Sequence, residues 1–424
     1  MDHSRTPEDR PAVRHEMIPS AAAALEVRLL LIGRGLRAFV DGYVAVLLSA
    51  YLLALGYGTW QVGLLSTATL LGSALATLAL GAWGHHAAPR FLLLAAALLM
   101  AATGLGFASL SAFWPLLLVA FVGTLNPSSG DVSVFLPLEH SRLSLAAEGD
   151  ARTRLFARYS LTGALCAALG ALAAAVPEVL TEQGVDRLTA LRGMFVVYAG
   201  VGALLWWLYA RLPKQPAREH AAAPTPLGPS RGIVIKLAAL FSVDAFAGGL
   251  VVNSLLALWL FERFGLSLAS VGVLFFWTGL LGALSQLAAP VVAKRIGLLN
   301  TMVFTHIPSS LFLILAALAP SLPLALGLLL LRAALSQMDV PTRSAYVMAV
   351  VTPPERAAAA SFTAVPRSLA AALSPTLGGA LFAAGWLAAP LVACGCLKIA
   401  YDLALWRAFR KHPGAQVISC METK

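Results

Sequence analysis

Apolar stretches of about 20 residues alternate with short polar connections along almost the whole 424-residue chain. Twelve can be traced, near 36–56, 60–82, 91–111, 113–135, 157–177 and 191–210, then 233–261, 268–290, 299–319, 322–340, 362–383 and 386–406. Each is long enough to cross roughly 30 Å of hydrocarbon at about 1.5 Å of rise per residue. The pattern predicts an all-α membrane protein of about twelve transmembrane helices. Residues 1–28 are polar and lack the apolar core and small-residue cleavage site of a secretory signal, so the first span is expected to be retained.

One polar segment divides the chain. Residues 212–231, LPKQPAREHAAAPTPLGPSR, are Pro-rich with no apolar period and read as a linker. The expected organisation is an N-terminal segment (1–28), a six-helix bundle (29–211), the linker (212–231), a second six-helix bundle (232–406) and a tail (407–424). The two bundles echo each other. Val40-Asp41-Gly42-Tyr43 in span 1 answers Val243-Asp244-Ala245-Phe246 in span 7, and Asp131-Val132 at the end of span 4 answers Asp339-Val340 at the end of span 10. Two similar offsets of about 200 residues are what an internal duplication leaves.

Composition agrees, with 59% hydrophobic and 12% charged residues and a mean hydropathy of +0.80, far from a soluble domain's balance. Most of the 30 Lys and Arg fall on the side of the N-terminus and the linker; Arg187, Arg192 and Arg263 lie on the other side, and Arg332 and Lys398 lie within spans. The positive-inside rule then places both termini and the linker in the cytoplasm. The net charge of +10 is read as this topology signal, with weak attraction to anionic lipid. Its dispersal among loops argues against nucleic acid. The four cysteines have no zinc or redox spacing and read as small apolar fillers, and no cofactor or metal is called for. Without a metalloprotease helix, a Gly-x-Ser-x-Gly elbow or a Walker loop, neither an enzyme nor an ATP-driven pump is expected.

With these features the chain resembles a major facilitator superfamily transporter of bacterial type, over essentially its full length. The loop after span 2, Gly81-Ala82-Trp83-Gly84-His85-His86-Ala87-Ala88-Pro89-Arg90, is similar to the family's signature, matching at Gly81 and Arg90 while His85 replaces the acid and Ala88 the second glycine. The equivalent loop after span 8, Pro290 to Gly297, keeps Lys294, Arg295 and Gly297 and also lacks the acid. In the family that acid helps to lock the closed state, so the resemblance leaves this lock in question. Ser374-Pro375-Thr376-Leu377-Gly378-Gly379 resembles the ending of the antiporter motif, but stands in span 11 where the family's antiporters carry it in span 5. Gln337 to Arg343, followed by Pro354-Glu355-Arg356, resembles a loop found in many bacterial members.

The resemblance implies that spans 1, 4, 7 and 10 line a central cavity, and those spans carry Asp41, Asp131, Asp244 and Asp339. Each lies about 15 to 17 residues from the outer end of its span, roughly 23–26 Å down, on the cytoplasmic side of the midplane. An intramembrane carboxylate is costly and marks a cavity, a partner or an ion path. Two readings stand. In one the acids close an inner gate with arginines: Arg37 with Asp41 and Asp339 with Arg343 are spaced i,i+4, Arg34, Arg158 and Arg367 enter from helix ends, and Asp131 joins them. In the other, Asp244 and Asp41 carry a coupling proton or cation. Asp244 stands first because Leu240, Phe241, Ala247 and Gly248, one helical turn away, are uncharged.

Arg332, near the midplane, is either a clamp for a substrate carboxylate or phosphate or a structural partner for an acid across the cavity. Tyr43, Ser49, Asn126, Asn253, Ser254 and Gln337 are candidate substrate contacts or helix-to-helix hydrogen bonds. His306, next to Pro308, reads as part of a hydrogen-bonded kink or as a proton relay, and Lys398 with Asp402 as a local ion pair on span 12. Asn126-Pro127-Ser128-Ser129-Gly130 is expected to loosen span 4. The reading is a multi-pass secondary transporter of the inner membrane that couples a small solute to protons by alternating access. The span 11 motif and the apolar cavity helices favour export, as an antiporter. The alternatives are proton-coupled uptake of a small organic solute, or a receptor or scaffold that no longer transports.

Overall fold

A computed structural model describes residues 21–84, 87–128, 133–147, 149–213 and 227–411. The N-terminal bundle holds α1 (Ala21–Ala54), α2 (Thr59–Trp83), α3 (Pro89–Ser109), α4 (Phe113–Val122), α5 (Phe135–Ala146), α6 (Gly149–Leu172), α7 (Val176–Glu182) and α8 (Arg187–Ala210). The C-terminal bundle holds α9 (Arg231–Gly249), α10 (Asn253–Phe264), α11 (Leu268–Ile296), α12 (Leu298–Ala317), α13 (Leu322–Ser336), α14 (Asp339–Val350), α15 (Arg356–Ala383) and α16 (Ala389–Phe409). Ten helical segments among the described residues are long and apolar enough to cross a membrane. The other two expected spans are α15 and the interrupted span 4, so the twelvefold plan stands while two spans depart from the simple criterion.

Three spans expected to be continuous are broken, and the breaks lie in spans 4, 7 and 10. Span 4 stops at Val122 and resumes at Phe135. Asn126 sits in that break, its Oδ1 accepting hydrogen bonds from Ser128 N at 3.1 Å and Ser128 Oγ at 2.8 Å. In span 7 the helix ends at Gly249 and restarts at Asn253, and the Ser254 N–H turns to the Pro127 carbonyl at 3.1 Å. In span 10, Pro341 has no N–H to give to the carbonyl of Gln337 four residues back, so one helix ends at Ser336 and the next starts at Asp339. Freed backbone groups at membrane depth survive where they are buried in protein or line a cavity.

Close backbone contacts hold the helices together. The first bundle packs α1 on α6 so tightly that a Cβ on Gly42 would sit 2.1 Å from the Ala167 carbonyl, as small residues permit. The two bundles touch at the end remote from the termini. There Ser49 Oγ donates to the Ser254 carbonyl at 2.5 Å, Ser66 and Ser254 hydroxyls meet at 3.0 Å, and Thr376 Oγ1 lies 2.8 Å from Thr67 Oγ1. Glu178 on α7 accepts from the N–H groups of Leu268 and Ala269, at 2.6 and 2.9 Å, which anchors the start of α11. Nearer mid-depth, Asn253 Nδ2 donates to the Ser128 carbonyl at 2.9 Å.

Candidate transport site

Toward the termini the bundles part around a chamber of about 310 Å³ between α1, α6, α11 and span 10. Part of its wall is small, with Gly163, Ala164, Ala167 and Ala168 on α6 and Gly279, Gly282 and Ala283 on α11; Arg34, Asp41, Ser128, Ser160, Asn253, Thr278, Gln286, Arg332, Ser336 and Gln337 supply polar groups. A second chamber of about 300 Å³ lies within the C-terminal bundle and is lined by Asp244, His306, Asp339, Arg343, Arg367 and Lys398. The two share Ser128, Asn253, Arg332, Ser336, Gln337 and Val340, so Arg332 stands on their common wall.

A charged network from four helices fills the second chamber's floor. Lys398 Nζ on α16 donates to Asp244 Oδ1 on α9 at 2.6 Å, and Arg343 Nη2 on α14 reaches Asp244 Oδ2 at 3.3 Å while also pairing with Asp339. Lys398 Nζ lies 3.4 Å from His306 Nε2 on α12, and His306 Nδ1 is 3.0 Å from Asp402 Oδ2. Asp244 also faces His306 Nε2 at 3.9 Å, and the Tyr401 ring meets the imidazole edge-on. Asp244, His306 and Asp402 are each no more than 4% exposed. If Nε2 accepts from the ammonium, Nδ1 carries the hydrogen given to Asp402, which is a neutral histidine beside an ionised aspartate. Three aspartates then face two permanent cations. One added proton balances the network, and a buried uncompensated charge is expensive.

The N-terminal bundle has a different arrangement. Arg37 pairs with Glu139 on α5, a carboxylate 0% exposed that also accepts from the hydroxyls of Tyr159 and of Tyr209, the latter at 2.5 Å. Arg142 Nε donates to Glu26 at 2.6 Å and its Nη2 to the Pro213 carbonyl at 3.1 Å. Two arginines and two glutamates balance.

These positions correct several expectations. Asp244 does not lie in an apolar setting: its cations come from α14 and α16, out of view of a one-turn scan of its own helix. Lys398 turns to Asp244 and leaves Asp402 to His306, so span 12 contributes to the site instead of holding a local pair. His306, expected as part of a kink, points its ring into the network, although Thr305 Oγ1 does bond back to the Thr301 carbonyl at 2.8 Å beside Pro308. Arg37 gives its ion pair to Glu139, not to Asp41, because α5 brings a buried carboxylate to it. Tyr43 is 0% exposed and donates to the Met194 carbonyl at 2.9 Å, away from both chambers. Asn126 is consumed by the turn in span 4 and lines neither chamber. Asp339 and Arg343 do meet as their spacing implies, and Asn253, Gln337 and Arg332 do face the cavity. Asp41 lines the first chamber. Arg158 is exposed, and Asp131, His85 and His86 lie outside the described residues. Glu139 is a carboxylate that the sequence reading passes over, and Asp402 figures there only as a partner for Lys398.

Two helix bundles closed at one end around a mid-depth chamber, with broken helices at its wall, define a multi-pass membrane transporter. The sequence profile of the Major Facilitator Superfamily matches residues 237–418, which span most of the second bundle. An uncharacterized membrane protein of Saccharomyces cerevisiae is 23% identical over 419 residues, covering 90% of this chain and 94% of its own length. Among solved structures, the D-xylose-proton symporter superposes with a TM-score of 0.73 at 14% identity over 91% of this chain and 98% of that one. The nucleoside transporter NupG does so with a TM-score of 0.70 at 15% identity, over 91% and 99%. A bacterial homologue of the human lysosomal transporter Spinster, inward-facing and occupied, gives 0.70 at 17%, over 92% and 98%. These likenesses concern the fold.

Proposed function

We propose that this chain is a proton-coupled secondary transporter of a small organic solute, working by alternating access in the inner membrane with both termini cytoplasmic. The observation that carries the coupling is the buried network in which Asp244, Asp339 and Asp402 meet Arg343, Lys398 and His306, and which opens on the chamber through Asp244. A proton that completes the network while it is sealed, and leaves when the chamber meets water, ties reorientation to proton movement. Asp41, across the first chamber, is the second candidate carrier, and Arg37, Asp339 and Arg343 are assigned to the inner gate, as Asp131 is from the sequence alone. In this orientation the closed far end is external and the conformation is inward-facing.

Export is the proposed direction. The alanine and glycine strip on α6 and α11 accommodates the apolar part of a solute, which favours an expelled compound over a sugar. The Ser374–Gly379 stretch does not add to this argument. Its glycines serve close packing, since a Cβ on Gly379 would meet the Thr59 carbonyl at 2.7 Å.

The test is solute-driven proton movement, read with a pH dye sealed in proteoliposomes while a solute library is added outside. Asp244→Asn keeps the size of the side chain and cannot cycle a proton. It is expected to abolish dye signals while leaving solute-for-solute exchange, and Asp41→Asn is run beside it. Wild-type proton movement in both variants would sink the coupling reading. For orientation, single cysteines replacing Gln183 and Ala222 in a cysteine-free background should label from opposite sides, Gln183 from outside intact cells. Labelling of position 222 from outside would reverse the topology.

A further inference from the structure

Arg332 is placed like a ligand-binding group. It stands on α13 in the wall common to both chambers, where Asn253, Gln337 and Ser336 surround it with amide and hydroxyl groups. Its carbonyl accepts from Ser309 Oγ at 3.3 Å, which fixes the backbone, but no hydrogen bond or ion pair reaches the guanidinium from the described residues. The acids nearby are committed: Asp244 to Lys398 and Arg343, Asp339 to Arg343, Asp402 to His306. An arginine cannot shed its charge, and one left in a largely desolvated wall is costly unless an anion joins it.

The field of the cavity points the same way. Among the described residues the second chamber presents Arg332, Arg343, Arg367 and Lys398 against two aspartates, and the first presents Arg34 and Arg332 against Asp41. Arg34 lies 5.2 Å over the Tyr159 ring toward the terminal mouth, where a cation attracts anions into the chamber. Beyond Arg332, alanines and glycines of α6 and α11 with Phe275 form an apolar strip in the first chamber, beside the hydroxyl and amide groups of Ser160, Thr278 and Gln286.

We infer that the transported solute is a small amphiphilic organic anion whose carboxylate or phosphate is gripped by Arg332 while its apolar body lies against α6 and α11. This rests on the proposed transport function for its biological sense, but binding alone tests it. The guanidinium accepts either head group as a two-point partner, so the probes separate the two: benzoate and phenyl phosphate, with butyl and hexyl analogues of each, against the neutral amides and the cationic amines of the same bodies. Thermal stabilisation of the purified full chain in detergent is measured with each.

At least one anion series should raise the melting temperature where the matching amide and amine do not, and Arg332→Gln should weaken that response at least tenfold in concentration. Arg332→Lys, which keeps the charge and loses the fork, should fall between. A wild-type protein that answers no anion, or answers amides or amines equally well, overturns the inference without any variant. So does an Arg332→Gln protein, monodisperse on gel filtration, that keeps the wild-type anion response. Anion binding without solute-driven proton movement would instead overturn the coupling and leave this assignment standing.

Discussion

The two halves of the molecule bury charge in opposite ways. In the first, Arg37 and Arg142 meet Glu139 and Glu26 one to one, and two tyrosine hydroxyls complete the Glu139 shell. Within these pairs nothing gains from an added proton. In the second, Asp244, Asp339 and Asp402 share Arg343 and Lys398, with a histidine as the adjustable member. Duplicated bundles therefore need not duplicate their chemistry: Phe135 lies under Arg37 in one half, and Phe241 under Arg343 in the other, 4.2 and 5.4 Å from ring centre to guanidinium, while the carboxylates around these arginines have diverged. The Arg37–Glu139 and Arg142–Glu26 pairs suit one arrangement, and the network around Asp244 suits alternation between two.

The largest effect that would break this contrast belongs to the balanced half. Glu139→Gln leaves Arg37 buried and uncompensated, and removing one partner of a buried pair costs about 3–5 kcal/mol. The expected outcome is a much lower melting temperature with the ratio of proton-driven to exchange transport unchanged in the folded fraction. If Glu139→Gln folds normally and loses the proton-driven component alone, the assignment of roles to the halves is reversed.

A smaller and more specific effect is expected at His306. Glutamine can still donate to Asp402 and accept from Lys398, so stability should change by only ~1 kcal/mol. Charged and polar groups face it from every side: Lys398, Asp402 and Tyr401 on α16, and Asp244 on α9, with Arg343 and Asp339 behind. Without the imidazole, proton-driven transport should fall relative to solute-for-solute exchange. An unaltered ratio would remove the histidine from the coupling and return the proton to the carboxylates.

What could be read from the sequence followed the range of the interaction. Length, apolar pattern and the Asp41/Asp244 and Asp131/Asp339 echoes are local or repeated signals, and they were enough for a two-bundle membrane fold. Asp339 with Arg343 was legible because four residues on one helix face fix the encounter. Asp244 with Lys398 was not: 154 residues separate them and only the packing of α9 against α16 joins them. Glu139 was hidden because the stretch Glu139-His140-Ser141-Arg142 looks like a polar loop, although it belongs to a helix that turns Glu139 and Arg142 inward. The break in span 10 did have a signal, since Pro341 follows Asp339 by two residues. Arg332 showed its depth but not its lack of an acid, because that depends on where every other carboxylate went.

The smallest expected effect tests whether the second half's loops are as firmly held as its core is adjustable. Glu355, between α14 and α15, is 3% exposed and accepts from Ser230 N at 3.2 Å, from Thr352 Oγ1 at 2.6 Å and from the Gly228 N–H. It thereby pins the end of the linker to the turn between spans 10 and 11. Hydrogen bonds from the Ser230 side chain, then Thr352, then the Gly228 amide hold its pKa down to about 2 from an ordinary 4.5. A depressed carboxylate stabilises the folded state above its unfolded value and loses that contribution as pH falls through the folded one. The linker attachment should therefore be intact above pH ~4.5 and fade toward ~2. Amide exchange of the peptide containing Gly228 and Ser230 should quicken over that interval in the wild type. Glu355→Gln, which offers one acceptor and no charge, should exchange faster at neutral pH and show little further change on acidification. Equal exchange in the two proteins at neutral pH would mean that the linker is held by something other than this carboxylate.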